Sequence, residues 1–336
     1  MEIPKEKERD ENLGDKILAG AKFVVDNSEQ VKINENMIFA AAKRLGYHFK
    51  RQILKHWLDD VPLEFSTLDD KEKLNFLFLL NSLSFSYWGG PKWSVEYKGQ
   101  KYDGVRGMIA ALGKAKDAGI INLDSADYSS IGEDELKEIF AGNVEIPMFQ
   151  ERLKILRENS NILKEKFGGR VENVIEKANG DALKLLEIIT DNFPSFRDTS
   201  KYKGREILFY KRAQLLVHDI YQVFGGKSFG KLENIGKLTA CADYKVPQIL
   251  RKVGVLFFGK DLQKKIDDGI EISHDSAEEV EIRASTIWAV ELIKKEINKD
   301  SKQPATSMQI NDMLWLSTQE KFSFDRPYHL TRTTDY

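Results

Sequence analysis

The stretch CADYKVPQIL, residues 241–250, sets Asp243 and Tyr244 side by side, just after Cys241 and just ahead of Pro247. Pro247 biases the residues before it toward extended or turn backbone. Asp243 therefore falls at a break between elements, beside a cavity, rather than along a continuous helix face. Such a break can hold a carboxylate rigidly. Asp243 can equally cap the helix that begins near Pro247. Cys241 is the only cysteine and has no histidine beside it to activate a thiolate.

Further polar residues stand among apolar ones. In FYKRAQLLVHD (209–219), Lys211 and Arg212 interrupt an apolar pattern, and Gln214 and His218 recur on the face of Lys211. Arg283 has Val280, Ile282, Ile287 and Trp288 around it. Such cations either form buried ion pairs or snorkel, or they grip a phosphate. His56 adjoins Trp57, Asn311 and Asp312 precede Met-Leu-Trp in QINDMLWL, Trp88 closes an apolar run, and the tail HLTRTTDY brings His329, Arg332 and Tyr336. Polar groups beside aromatic rings can read a nucleobase edge while the rings stack, or they simply mark a helix start.

Several function classes are disfavoured. The chain has no Walker loop, no GxGxxG after a strand, no GxSxG elbow and no HExxH. With 51 Lys+Arg against 53 Asp+Glu, net charge is −2, unlike a protein whose affinity comes from many phosphates. A small molecule is thus expected as partner rather than polymeric nucleic acid. One cysteine and five scattered histidines point to no metal and no other cofactor, and to a reducing, cytoplasmic compartment. The charged start MEIPKEKERDENLGDK lacks the apolar core of a signal peptide, and no membrane-length apolar run follows.

The elements that must position these residues are helices. Apolar residues recur at three and four positions, predicting helices over 34–45 from Asn34, 71–88 as a buried central helix, 148–169, 180–193, 204–226 and 276–297, the last with Ser276 and Glu279 at capping-box spacing. A short helix ending at Pro62 is expected around His56, and another start near Leu238. Alternation of Trp93, Val95 and Tyr97 across a Lys-Gly turn predicts one small β-hairpin near 93–103, with little other sheet. The expected organisation is a charged tail over 1–14 and one all-α domain over 15–336.

The blocks NSLSFSYW (81–88), VEYKGQKYDGVRGMIAAL (95–112), ILKEKFGG (162–169), FPSFRD (193–198), FYKRAQLLVHD (209–219), LTACADYKVPQILRKVG (238–254) and EVEIRASTIWAVELI (279–293) together resemble the queuosine salvage protein family. The resemblance implies a helical fold akin to helix-hairpin-helix DNA glycosylases. It also implies hydrolysis of queuosine 5′-monophosphate to release queuine for salvage into tRNA. It makes Asp243 the catalytic carboxylate and His56 a substrate contact, puts Cys241 where a ring would stack on the base, and places Tyr244 in the same block. Queuine's secondary ammonium calls for an acidic partner, with Asn311 or Asp312 at the implied spacing and Asp312 favoured by charge. Lys211, Arg212 and Arg283 become phosphate-binding candidates on chemical grounds, and Trp88 a pocket wall. The alternatives are a damaged-base DNA glycosylase and a non-catalytic helical module that binds a nucleotide or a protein.

Overall fold

The structure, a computed structural model, describes residues 11–51, 54–299, 301, 303–319 and 326–336. Most of the expected charged tail lies outside these residues; α1 (Leu13–Asn27) starts at once, with Asn12 accepting from the Asp15 N–H. The helical period then builds the core. α2 (Glu35–Lys50) is capped by Asn34 as expected, and α3 (Asp70–Leu83) by an Asp69–Glu72 capping box. After α4 (Gly104–Asp117) and α5 (Glu133–Ile139) comes α6 (Phe149–Phe167), which stops where Gly168 turns left-handed at φ 61°. α7 (Val171–Glu176), α8 (Ala182–Asn192) and α9 (Lys211–Val223) complete the set around α3. α10 (Lys245–Lys252), α11 (Lys260–Asp267), α12 (Ala277–Asn298) and α13 (Ser307–Ser317) assemble with α2. Two buried apolar clusters result, one centred on α3, α4, α6, α8 and α9, the other on α2 and α10–α13, and Trp315 packs against both.

Mainly helical describes the fold, but the sheet content exceeds the single expected hairpin. β2 (Ser94–Tyr97) and β3 (Gln100–Asp103) form that hairpin. β4 (Thr199–Tyr202) and β5 (Arg205–Leu208) form a second, and β1 (Val31–Ile33) pairs with β6 (Leu256–Phe258). Both hairpins turn on Lys-Gly with positive φ at each residue, Lys98-Gly99 and Lys203-Gly204, the backbone that suits strand twist. The run 204–226 is therefore not one helix: β5 ends, Tyr210 takes φ 50°, and α9 begins at Lys211, whose N–H bonds Asp198. The β1–β6 pair joins residues more than two hundred positions apart, which no local pattern signals.

Two further expectations are corrected. The central helix stops at Leu83, and residues 84–88 run on as buried irregular chain with Ser86 at φ 35°. Arginines make this possible: Arg212 donates to the carbonyls of Asn81, Ser82 and Ser195, and Arg152 to those of Leu83, Phe85 and Pro147. These guanidiniums satisfy the carbonyls that a helix end leaves bare. Residues 238–244 do not begin a helix at Leu238 either; a 3-10 turn at Ile235–Lys237 leads into non-helical chain as far as α10. Of the short helix expected around His56, residues 52 and 53 lie outside the described residues; among the described ones the chain forms a 3-10 turn, Trp57–Asp60, with His56 at its cap. No helix among the described residues is long and apolar enough to cross a membrane.

Candidate active site

A cavity of about 130 Å³ opens beside the first apolar cluster, with Trp315, which packs against both clusters, in its wall. Its walls come from the irregular 84–88 segment, the start of α4, the start of α9, residues 241–245, α13 and the irregular C-terminal segment 326–336. The 84–88 segment is fixed from outside the cavity: Ser86 N–H donates to the Tyr336 carbonyl, Ser86 Oγ to Thr333, and Trp88 Nε1 to Thr331 at 3.2 Å.

Asp243, Tyr244, Cys241, Lys211, Asn311, Asp312 and Trp88 all line this cavity. One oxygen of Asp243, Oδ1, accepts the N–H groups of Lys245 and Val246, both at 2.8 Å, so the capping role and the cavity-facing role coexist in one side chain. Its Oδ2 accepts no hydrogen bond from the described residues, and the carboxylate is held in one orientation with that oxygen spare. Lys211 is 7% exposed, and its ammonium makes no ion pair or hydrogen bond among the described residues. Cys241 is buried, and burial drives its thiol pKa far up, so it stays protonated and serves as wall. Burial likewise raises the Tyr244 phenol well above its usual value, and its ring lies 4.8 Å from that of Tyr328.

Asn311 and Asp312 are neighbours with different work. Asn311 Oδ1 accepts the Cys241 N–H at 3.0 Å and so holds the 241–243 backbone in place. Asp312 is 2% exposed; its Oδ2 takes His218 Nε2 at 3.0 Å, while Oδ1 has no hydrogen-bond partner among the described residues. His56 does not line the cavity. It stands behind Asp312, its Nε2 3.7 Å from Asp312 Oδ2 and 3.4 Å from Asp219 Oδ1. Burial opposes charge on His56, but the nearby carboxylates outweigh it and raise the pKa. Against that, its Nδ1 accepts the Leu58 N–H at 3.2 Å, which fixes the remaining ring proton on Nε2. His56, His218 and Asp312 offer atoms within 4.8 Å of one another. A metal on His56 would have to take the place of the Nε2 proton, so the trio fits a hydrogen-bonded cluster better than a ligand set.

Arg212 and Arg283 are 1% and 0% exposed and lie away from the cavity walls. Burial lowers the Arg212 guanidinium to about 10, and its donors go to the carbonyls at the end of α3. Arg283 forks onto both oxygens of Asp198 at 2.8 and 2.6 Å, with Glu279 at 3.6 Å. Both arginines are occupied by the protein itself, so neither is placed to hold a phosphate.

Some cavity residues escaped sequence reasoning. Tyr87, Tyr328, Lys92 and Arg106 line it from loops and element ends. Arg106 Nε is buried without a hydrogen-bond partner among the described residues, while its guanidinium lies 3.5 Å from Asp60. Their only sequence signal is aromatic and basic character outside regular elements, which is too common to single them out.

A helical framework enclosing an aromatic cavity, with an oriented carboxylate, a free ammonium and a buried anionic corner, is equipped to hold a small charged molecule and act on it. The family described as queuosine salvage protein matches residues 64–336, and the chain belongs to it. A protein of Sphaerobacter thermophilus named queuosine 5′-phosphate N-glycosylase/hydrolase is 37% identical over 327 residues, 95% of this chain and 97% of its own. Proteins of the same name from Mus musculus (34% over 329 residues, 94% and 97% of the two chains) and Schizosaccharomyces pombe (32% over 324 residues, 89% and 90%) are similar to it along nearly their whole length.

Proposed function

We propose that this chain hydrolyses the N-glycosidic bond of queuosine 5′-phosphate, adding water across it to give queuine and ribose 5-phosphate. The observation that carries the reading is Asp243: a carboxylate oriented by two backbone N–H groups at a cavity wall, with one oxygen spare. Cleavage develops positive charge over C1′ and the ring oxygen, and a fixed carboxylate on that face stabilises it without reorganising. In a 7-deazaguanine, carbon replaces N7, so protonation there cannot assist departure and the sugar side must contribute more.

The other walls divide the substrate among them. Lys211, with Arg106, faces the 5′-phosphate; Asp312 Oδ1 accepts from the cationic arm of the base; Trp88, Tyr87 and Trp315 enclose the rings. The 3-10 turn between α9 and α10 serves as counterpart of the hairpin in helix-hairpin-helix glycosylases, with Asp243 at its exit. Because Trp315 packs against both apolar clusters and lines the cavity, we read residues 15–336 as a single domain, and we place it in the cytoplasm. The test is detection of queuine by mass spectrometry after incubation with queuosine 5′-phosphate. D243N should bind substrate and lose about a hundred- to a thousandfold in turnover, the scale of one electrostatic stabiliser; unchanged turnover in D243N would overturn the assignment.

A further inference from the structure

Asp312 does not sit alone. Asp219 is fully buried and accepts Trp57 Nε1 at 2.8 Å and Asn81 Nδ2 at 2.9 Å. His56 points its Nε2 between Asp219 and Asp312, and His218 donates to Asp312. Neither carboxylate is paired with a lysine or arginine among the described residues. Two buried carboxylates with no lysine or arginine beside them are costly unless a cation joins them; Asp312 lines the cavity, and its buried Oδ1, without a hydrogen-bond partner among the described residues, is the acceptor left for one. What selects Oδ1 is that both imidazoles converge on Oδ2. His218 holds the shorter contact, from two helical turns beyond Lys211 on the same face of α9.

Resting on the function proposed above, we infer that His218 is a positioning residue for the base. By donating Nε2–H to Asp312 Oδ2, it turns Oδ1 into the cavity as acceptor for a cationic amine on the nucleobase. It acts through Asp312, so its removal should cost discrimination rather than general binding.

The experiment is calorimetric titration of the full chain with free queuine, which carries the amine, and with 7-deazaguanine, which lacks it. The unaltered chain should prefer queuine by about tenfold or more, the scale of one charge-assisted hydrogen bond. H218Q, whose amide nitrogen reaches the place of Nε2, should keep that preference. H218N, too short to reach, and H218L, with no donor, should lose it while holding 7-deazaguanine within about threefold. Preference retained in H218N or H218L, lost in H218Q, or an equal loss for both bases, would overturn the inference alone. An unaltered chain that binds neither base would overturn the functional reading, and the inference with it.

Discussion

At the scale of single residues, burial sorts the cations into two kinds. Lys211 is nearly buried with its ammonium unspent, whereas Arg212 and Arg283 are buried with every strong contact made to the protein. Substitution should separate them. K211M should lower kcat/KM on queuosine 5′-phosphate by about 10- to 150-fold through KM, the range of 1.5–3 kcal/mol for a charged hydrogen bond. The unphosphorylated nucleoside should be affected far less, which parallel steady-state kinetics would check. R283M strands Asp198 and Glu279 without their cation and should cost about 3–5 kcal/mol in urea unfolding. Cys241, its thiol held protonated by burial, should resist iodoacetamide at pH 8 in the folded chain and react after denaturation.

The elements are tied to one another mainly by side chains that satisfy backbone ends. Glu281 on α12 accepts from Ser28, Gln30, Val31 and Tyr202, joining that helix to the turn before β1 and to β4. The irregular C-terminal segment is tied by His274, whose Nε2 lies 2.9 Å from Asp335, and that hydrogen bond is the chief reason its pKa rises to about 8. The folded value exceeds the unfolded one near 6.5, so this contact contributes fully below about pH 6.5 and fades as pH rises through 8. H274N should accordingly lower Tm at pH 6 and have little effect at pH 9, as thermal melts at the two pH values would show. The loss should be modest, because His274 is half-buried and its pair is partly screened. Since the same segment supplies the partners of Ser86 and Trp88, weakening it should also loosen the 84–88 wall of the cavity.

For the molecule as a whole, near-neutral net charge and an enclosed site have a kinetic consequence. A substrate with one phosphate should show weak dependence on salt. Raising NaCl from 50 to 200 mM should reduce kcat/KM less than about tenfold, against the 10³–10⁵-fold loss in affinity of a protein that neutralises many phosphates. A steep fall would return polymeric nucleic acid to consideration. The cavity is walled by residues of the first apolar cluster, among them Phe85, Leu215 and Cys241, and by Trp315 of α13, which packs against both clusters.

Local patterns in the sequence determined the helices and their caps: Asn34, Asp181, Ser276 and Gly168 act where their types and spacing place them, because capping and periodicity are interactions within a few residues. The Lys-Gly hairpin and the candidacy of Asp243, Lys211 and Asp312 were legible for the same reason, a charge or a turn set against an apolar background. The roles of the cations were not legible. Lys211 and Arg212 are adjacent in sequence, yet one faces a cavity and the other plugs the end of α3. Which of Asn311 and Asp312 keeps a spare oxygen depended on Cys241 and His218 arriving from other elements. A side chain's type is local, but its partners are chosen by packing between distant segments, and tertiary structure alone decided which charges were neutralised and which were left for a ligand.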